Sequence, residues 1–295
     1  MAFEFDNFEA FNETVKGWST RFNQVSRGLA SVRFRHRMSD MVNVLDVKFS
    51  HSTASFGSTQ AGHRTFGIVG GHGCSWCGYD VDPNQVMRFD AHPDFDTFTP
   101  PDFVGRTLSV DENLLAATAD RLGFAGFVER LDASSDILTV DPVSMNRYLS
   151  IYESRMRSEE DLLNLVEELI LLYEDSRDDA PVRHQNASSS HVDAALRYVV
   201  EHAQRAITVS EICSELGIGY RTLDRSFKRR LGHGPKASIM AFRLNGVRHD
   251  LKRSDPSSRV GAIANAWGFW HMGDFARVYK REFGELPSDT LCKFR

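Results

Sequence analysis

Four basic residues in the last third of the chain form two matching pairs. Arg225 precedes Lys228 by three positions, and 52 positions further on Arg277 precedes Lys280 by the same three. A guanidinium group can bind O6 and N7 of guanine together, whereas a lysine ammonium group binds phosphate as a point charge. We therefore interpret the two pairs as contacts to a nucleic acid. For each arginine taken alone, the alternative is a solvated helix face.

The residues around the two pairs repeat as well. Five positions recur at an interval of 51, as Val209/Val260, Ile212/Ile263, Cys213/Ala264, Leu216/Trp267 and Gly217/Gly268. After one additional residue the interval becomes 52, for Leu223/Phe275, Arg225/Arg277, Phe227/Tyr279, Lys228/Lys280, Leu231/Phe283, Gly232/Gly284 and Pro235/Pro287. Each copy predicts an apolar helix, a glycine turn and a basic helix. That order of elements predicts two helix-turn-helix motifs, which bind DNA.

Glycines and apolar residues are predicted to position the basic side chains. Gly217 and Gly268 permit the left-handed backbone of a tight turn between two helices. Thr208 is predicted to cap the first helix, with Glu211 completing a capping box. The second helices, the first at about 219–231, are predicted to bury Leu223, Phe227 and Leu231 in one motif and Phe275, Tyr279 and Phe283 in the other. A longer helix, roughly 236–252, joins the motifs.

The side chains left on the free faces are the predicted DNA contacts. The predicted base contacts are Tyr220, Arg221, Asp224, Arg225, Met272, Gly273, Ala276 and Arg277. The predicted phosphate contacts are Thr222, Lys228 and Lys280. Among the nearby aromatic residues, Trp267 and Phe269 are predicted to lie in the core. Trp270 is open to either core packing or stacking on bases.

Charge is divided unevenly along the chain. Residues 191–295 hold 18 Lys and Arg against 11 Asp and Glu, whereas residues 1–190 hold 17 against 29. A basic part joined to an acidic part indicates that the basic part meets a polyanion. No apolar run approaches ~18 residues, and the N-terminus lacks the basic start of a secretion signal. The four cysteines show no disulfide-scaffold pattern, so we expect a cytoplasmic protein without membrane contact.

The whole chain predicts an α+β fold. Short β-prone runs separated by Gly, Ser and Pro fill residues 31–140, with one helical segment at 111–124, and indicate a sandwich or small barrel. Helical spacing predicts further helices over residues 11–25 and 158–173. The latter is capped by Ser158 and Asp161, and its apolar stripe is wide enough to pack on its own domain and also on a second subunit. We predict an effector-sensing and dimerisation domain at 1–175, a linker at 176–190 and an all-α DNA-binding domain at 191–295.

A set of residues in and after the second motif forms a recognisable signature. Its members are Ile263, Ala264, Gly268, Phe269, Phe275, Arg277, Tyr279, Lys280, Phe283, Gly284, Pro287 and Ser288. The set resembles the C-terminal signature of AraC/XylS-type transcriptional regulators. In that family two helix-turn-helix units joined by a long helix enter successive major grooves about one helical turn, ~34 Å, apart. The resemblance implies a homodimeric activator that binds promoter DNA and a small-molecule inducer, with RNA polymerase as a further partner.

The resemblance extends to a narrower subgroup, with some departures. The segments WGFWHMGDFARVYKREFGELPSDTL, RLNGVRHDL and VKGWSTRFNQVSRG resemble the ethanolamine-operon regulators. That subgroup includes regulators of other pathways, so neither ethanolamine nor cobalamin is predicted as a ligand. Gly219 replaces a usual serine cap, Asp224 replaces an uncharged residue, and Gly273 cannot read a base edge. These departures leave open which motif sets sequence specificity.

The first domain offers two groups of residues for metal chemistry. His63, His72, Cys74 and Cys77 show half of a zinc-ligand pattern, for which a turn between strands is the alternative. A second group is His92, Asp94 and Asp96, for which a solvated loop is the alternative. The sequence contains no nucleophile elbow, P-loop or GxGxxG motif, and we predict no catalytic residue, metal or cofactor.

Aromatic residues of the first domain are candidates for a metabolite pocket or for core. They are Trp18, Phe22, Phe49, Phe56, Phe66 and Trp76. Two alternatives to ligand sensing stay open: a metal-handling or catalytic module, and a ligand-free dimeriser.

Overall fold

The computed structural model describes residues 2–5, 8–14, 18–71, 73–89, 95–154, 158–176, 187–202, 205, 207–255 and 258–293. The strands in this part of the chain are β1 (Ala2–Phe5), β2 (Ser19–Gln24), β3 (Val32–Met38), β4 (Val42–Phe49), β5 (Thr53–Ser58), β6 (His63–Gly70), β7 (Cys74–Trp76), β8 (Tyr79–Val81), β9 (Gln85–Arg88), β10 (Phe95–Thr99), β11 (Phe103–Asp111) and β12 (Ile137–Thr139).

The helices in the same part of the chain are α1 (Phe8–Thr14), α2 (Glu112–Arg121), α3 (Phe127–Ala133), α4 (Pro142–Ser154), α5 (Glu159–Asp175), α6 (Ala187–Glu201), α7 (Val209–Glu215), α8 (Tyr220–Leu231), α9 (Pro235–Arg253), α10 (Val260–Ala266), α11 (Met272–Phe283) and α12 (Pro287–Lys293). Within the described residues, no helix is both long and apolar enough to cross a membrane.

The strands form two antiparallel sheets that pack face to face. One sheet has the order β1-β3-β4-β11-β6-β9-β12, and the other has the order β2-β5-β10-β7-β8. Successive side chains of a strand point to opposite faces, so each strand serves two layers. In β10, Phe95 packs in the core between the sheets, whereas Phe98 faces the C-terminal helices. The predicted α+β fold, with a β-rich first part, flanking helices and a helical C-terminal part, is confirmed, and of the two predicted β architectures the strands form a sandwich.

Helices α2 to α5 cover the outer face of the seven-stranded sheet. Leu115 of α2 and Leu165 and Leu169 of α5 are fully buried and share one core with Val44 and Leu108 of the sheet. Burying a leucine side chain fully contributes ~1.5–3 kcal/mol relative to leaving it exposed. Most of the apolar stripe of α5, which the sequence also offered to a second subunit, is therefore used inside the chain.

The C-terminal helices pack on the outer face of the five-stranded sheet. Val25, Ala54 and Phe98 from that side of the sheet join a continuous apolar core with α6 and α8, which includes Leu196 and Phe227. The helices that carry the repeated pattern thus lie directly against the β-sandwich.

The prediction of one helix over residues 11–25 is wrong beyond Thr14. Helix α1 ends at Thr14, and β2 pairs antiparallel with β5, placing Phe22 opposite Ser55. The rings of Phe11 and Phe22 still meet edge to face, 4.9 Å apart, but from a helix and a strand. The apolar spacing fits a helix and a helix-plus-strand equally well, and pairing with β5 satisfies the backbone groups of β2. Val15, which belonged to this prediction, lies outside the described residues.

The two predicted capping boxes differ in outcome. At α5 the box is confirmed, because Ser158 accepts from the Asp161 amide and Asp161 accepts from the Ser158 amide. At α7 Thr208 caps the helix as predicted. The reciprocal half is wrong, because the Glu211 carboxylate binds the Tyr198 hydroxyl and Arg205 instead.

Candidate nucleic-acid interface

Helix α8, the second helix of the first motif, is fixed along one side by apolar contacts. Leu223 and Phe227 are 0% and 1% exposed, and Leu231 is partly buried against the same core. Gly219 stands before the helix without a side-chain cap, and Gly232 ends it in the left-handed conformation at φ 75°. A helix held along one side presents its other side in a fixed direction. We name α8 the first recognition helix.

The free side of the first recognition helix carries the predicted DNA contacts. The exposed residues are Tyr220, Arg221, Thr222, Arg225 and Lys228. Asp224 is half-buried, and its Oδ2 lies 2.8 Å from Nζ of Lys228. The hydrogen bond to Asp224 raises the pKa of Lys228, so the lysine is fully charged at neutral pH. Asp224 also faces Gly234, where an added Cβ would lie 2.7 Å from Oδ1. In the free protein Asp224 is thus engaged inside its own motif.

Helix α11, which we name the second recognition helix, repeats this arrangement. Phe275, Tyr279 and Phe283 are 3%, 0% and 5% exposed, and the Tyr279 hydroxyl lies 2.9 Å from Oγ1 of Thr290 in α12. On the free side, the exposed residues are Gly273, Arg277 and Lys280, and the half-buried ones are Met272 and Ala276.

An acidic residue that the sequence analysis did not single out lies among these contacts. Asp274 accepts a hydrogen bond from the Arg277 guanidinium at 2.6 Å, and both side chains are largely exposed. The signal that could have found it is the i, i+3 spacing of opposite charges on one helix. In the free protein this pair holds the arginine that the repeat marks as a base contact.

The two turns match in backbone geometry. Gly217 and Gly268 have φ of 63° and 79°, in the left-handed region that favours glycine. The amide after each glycine donates to the carbonyl five residues earlier, Ile218 to Cys213 and Phe269 to Ala264, both at 3.0 Å. The predicted turn glycines therefore end the first helix of each motif with the same backbone turn.

The long helix α9 joins the motifs through a close contact with the second one. The Trp267 indole donates to Oδ2 of Asp250 at 2.7 Å. A Cβ on Gly246 would lie 2.2 Å from the Trp267 ring, so only glycine fits at this position. Neither Gly246 nor Asp250 was found from the sequence, since nothing local marks them. Trp267 is buried as predicted, Phe269 is partly buried against the same core, and Trp270 is 66% exposed.

Comparisons with known proteins agree with this geometry. A helix-turn-helix domain family model matches residues 212–292. The probable thc operon regulatory protein of Rhodococcus erythropolis is 40% identical over 101 residues, which are 34% of this chain and 30% of that protein. The XylDLEGF operon transcriptional activator of Pseudomonas putida is 34% identical over 106 residues, which are 34% of this chain and 32% of that protein.

A solved structure, of a probable AraC family transcriptional regulator from Rhodopseudomonas palustris CGA009, is 32% identical. It covers 36% of this chain and 98% of that chain, with a TM-score of 0.34. The C-terminal region of this chain contains a helix-turn-helix domain and is similar to transcriptional regulators of the AraC family. This region spans about a third of the length of the curated relatives it matches.

The C-terminal region is connected to the β-sandwich by a buried polar contact. Asp193 of α6 accepts a hydrogen bond from the Ser75 hydroxyl of β7 at 2.7 Å. Its Oδ1 lies 2.6 Å from Nη1 of Arg230, in the last turn of the first recognition helix. The Arg230 guanidinium also lies over the Phe98 ring of β10. These residues connect two strands of the sandwich to the first recognition helix, and we name them the Asp193 contact.

Two further polar contacts join the C-terminal region to the β-sandwich. Arg197 of α6 pairs with Asp96 of β10. The Gly28 amide donates to Oε1 of Glu282, in the last turn of the second recognition helix, at 2.7 Å. Each recognition helix is therefore in contact with the β-sandwich near its C-terminal end, on the side away from the predicted base contacts.

The interior of the sandwich is nearly filled. An apolar cavity of about 60 Å³ lies between the sheets, and Trp18, Phe22 and Phe49 are among its lining residues. The other aromatic residues predicted to line a pocket are elsewhere: Phe56 and Phe66 pack in the cores on the outer faces of the two sheets, and Trp76 is fully buried between the sheets. A larger cleft of about 490 Å³ separates β2 from α9.

The described residues of the two metal candidates are not grouped as metal ligands. Burial raises the pKa of the Cys74 and Cys77 thiols to about 12, and zinc binds thiolates. Asp96 is committed to Arg197. His72, His92 and Asp94 lie outside the described residues, and within those residues no three His, Cys, Asp or Glu side chains are grouped to hold a metal.

Proposed function

We propose that this chain is a sequence-specific DNA-binding transcriptional regulator. The observation that carries the proposal is the correspondence between the two recognition helices. Both are buried along one side by residues at matching positions, and both expose an arginine and a lysine at matching positions on the other. A single exposed arginine is ordinary on a helix, but two at one register on two equivalent helices indicate one shared ligand.

In this proposal the recognition helices enter successive major grooves on one face of DNA. Arg225 and Arg277 bind base edges, where a bidentate contact to guanine discriminates by ~1–3 kcal/mol. Lys228 and Lys280, one turn further along, bind phosphates and fix the register. The remaining base contacts that we propose are Tyr220, Arg221, Asp224, Met272 and Ala276, together with Gly273 through its backbone, and Thr222 binds phosphate.

Selection of duplexes from a random pool by the full chain tests this function. We expect enrichment of a site with two preferred patches about 10–10.5 base pairs apart, because equivalent helices in successive grooves lie one helical turn apart. Failure to enrich any sequence, or equal binding of single strands, would remove the proposal. A promoter reporter assayed with and without the chain then shows whether the chain activates or represses transcription. The curated relatives named as activators support activation.

The proposed organisation is a sensing and dimerisation domain at 1–175, a linker at 176–190 and a DNA-binding domain at 191–295. The Asp193 contact supports communication between the sensing domain and the DNA-binding domain, because it joins β7 and β10 to the first recognition helix. An effector that prefers one arrangement of these elements shifts the population toward it.

We propose that the effector is a small metabolite that contacts the first domain. A cavity of about 60 Å³ is well below the ~300–1,000 Å³ of ligand pockets, whereas the cleft between β2 and α9 falls within that range. The exposed Arg21 of β2 and the half-buried His249 of α9 line the cleft. A thermal-shift screen of metabolites tests the idea, and Arg21→Ala should abolish any shift that arises in the cleft.

A ligand-free dimeriser is the second candidate for the first domain, and the filled interior favours it. Thermal-shift screening without any hit, together with a dimer in sedimentation at micromolar concentration, would support this candidate. Because most of the α5 stripe is buried in the chain, we expect a dimer contact on another surface.

A further inference from the structure

The start of the second recognition helix carries an exposed tryptophan. The segment between Gly268 and the helix holds three residues, whereas the equivalent segment of the first motif holds two, Ile218 and Gly219. Trp270 lies in this longer segment and is 66% exposed. In the first motif Tyr220, the first residue of its recognition helix, is 57% exposed. Both motifs thus present a large aromatic ring where a recognition helix begins.

The position of Trp270 matters because residues near the start of a recognition helix are those that reach the bases. Its neighbours Phe269 and Trp267 pack into the core, which fixes the backbone on both sides of the turn. Its side chain is left in solvent, and burial of its apolar area against a partner would be favourable.

A second observation points the same way. Gly273 lies in the first turn of the same helix, where glycine costs about 1 kcal/mol of helix propensity relative to alanine. A Cβ added there would meet no described atom within 4 Å beyond its chain neighbours and the backbone of its own helix, so packing inside the protein does not require the glycine. The absence of a side chain leaves room for a partner to approach the helix beside Trp270.

We propose that Trp270 is a DNA-contacting residue that packs its ring on an apolar part of the duplex, a thymine methyl group or a deoxyribose, with Gly273 allowing the close approach. This inference rests on the proposed DNA-binding function. The contact is apolar, so it adds affinity without releasing counterions.

The test uses the full chain and a duplex that the wild type selects from a random pool. Trp270→Ala should weaken binding by about tenfold with an unchanged salt dependence, whereas Trp270→Phe should keep most of the affinity. Val143→Ala, at an exposed residue of α4, is the matched control and should bind like the wild type. Thermal unfolding of each variant checks that the fold is retained.

Replacement of single thymines by deoxyuridine then separates the two apolar sources. If the ring packs on a methyl group, one replacement weakens the wild type and has no further effect on Trp270→Ala. If the ring packs on deoxyribose, Trp270→Ala loses the same factor of affinity, relative to the wild type, on every such duplex. Gly273→Ala should weaken DNA binding while raising thermal stability.

Intrinsic fluorescence gives an independent readout. Of the four tryptophans, Trp76 and Trp267 are buried and Trp18 is half-buried, so quenching on addition of DNA should disappear in Trp270→Phe. A Trp270→Ala variant with wild-type affinity, or a loss of affinity accompanied by a shallower salt dependence, would overturn the inference. If the wild type selects no sequence at all, it is the proposed function that fails, not this contact alone.

Discussion

Asp193 lies 2.6 Å from Arg230, and through this pair α6 holds the last turn of the first recognition helix against the β-sandwich. The side chains of the pair are 3% and 18% exposed. A buried carboxylate that keeps its charge requires a partner, and removal of that partner leaves an uncompensated charge. The Asp193 contact therefore makes the stability of the chain depend on pH.

Burial raises the pKa of Asp193 to about 6, against the opposing effects of Arg230 and the Ser75 hydrogen bond. The folded chain holds this proton more tightly than the unfolded chain, so the contribution of Asp193 to the free energy of unfolding decreases as pH rises from about 4 to 6. Urea unfolding measures the free energy of unfolding of the wild type minus that of Asp193→Asn. This difference should decrease by roughly 2–3 kcal/mol as pH rises across this range. A difference that grows with pH would mean that the ion pair outweighs burial.

Asp141→Asn is a control with the opposite sign. Hydrogen bonds from Ser144 lower the pKa of the exposed Asp141. Its contribution to stability is therefore present at neutral pH and is lost as pH falls through the folded pKa. In the same unfolding series, the difference in free energy of unfolding between the wild type and Asp141→Asn should decrease as pH falls.

Loss of either repeated arginine should weaken specific binding. We expect Arg225→Ala and Arg277→Ala each to cost ~1–3 kcal/mol on a selected duplex and to relax the preference at one base pair, because a bidentate contact is lost. Binding isotherms on single-substitution duplexes measure both effects. Arg33→Ala removes the same charge from an exposed site on β3 and should leave affinity unchanged. Equal losses for all three variants would show that only net charge matters.

The two lysines should contribute to the salt dependence of DNA binding. Each of Lys228→Ala and Lys280→Ala should reduce the steepness of log K against log salt by about 0.9 and weaken binding on all sequences alike. Anisotropy titrations at several salt concentrations measure the slope. An unchanged slope with a sequence-dependent loss would instead assign that lysine to a base edge.

The turn glycines should be necessary for stability. Gly217→Ala and Gly268→Ala place a Cβ on left-handed backbone, and each should lower the free energy of unfolding by roughly 1–2 kcal/mol. Gly273→Ala, in ordinary helical backbone with open space, is the matched control and should raise it by up to about 1 kcal/mol. Equal destabilisation by all three substitutions would contradict the assigned turn geometry.

The sequence predicted those parts of the fold that local chemistry determines. Helix α8 follows from the spacing of Leu223 and Phe227, and its turn follows from Gly217, because helical periodicity and left-handed backbone are properties of a few neighbouring residues. The Asp193 contact joins residues 118 positions apart, and no local pattern marks it. Glu211 completes a capping-box pattern, yet Arg205 and Tyr198 bind it more favourably in the folded chain.

Strand β2 shows the same limit from another direction. Phe22 fits a helical spacing with Phe11, and only the pairing partner β5, some thirty residues away in sequence, decides for the strand. At the candidate interface, the repeat identified the faces of both recognition helices. It could not show that Asp224 and Asp274 hold Lys228 and Arg277 in the free protein, because those pairs depend on side-chain conformation.

Guanine methylation interference on a selected duplex tests the central claim most directly, because N7 lies in the major groove. We predict two patches on one face of the duplex, about 10–10.5 base pairs apart, with one patch lost in Arg225→Ala and the other in Arg277→Ala. A single patch, a different separation, or the loss of both patches in either variant would contradict a reader built from two equivalent helices.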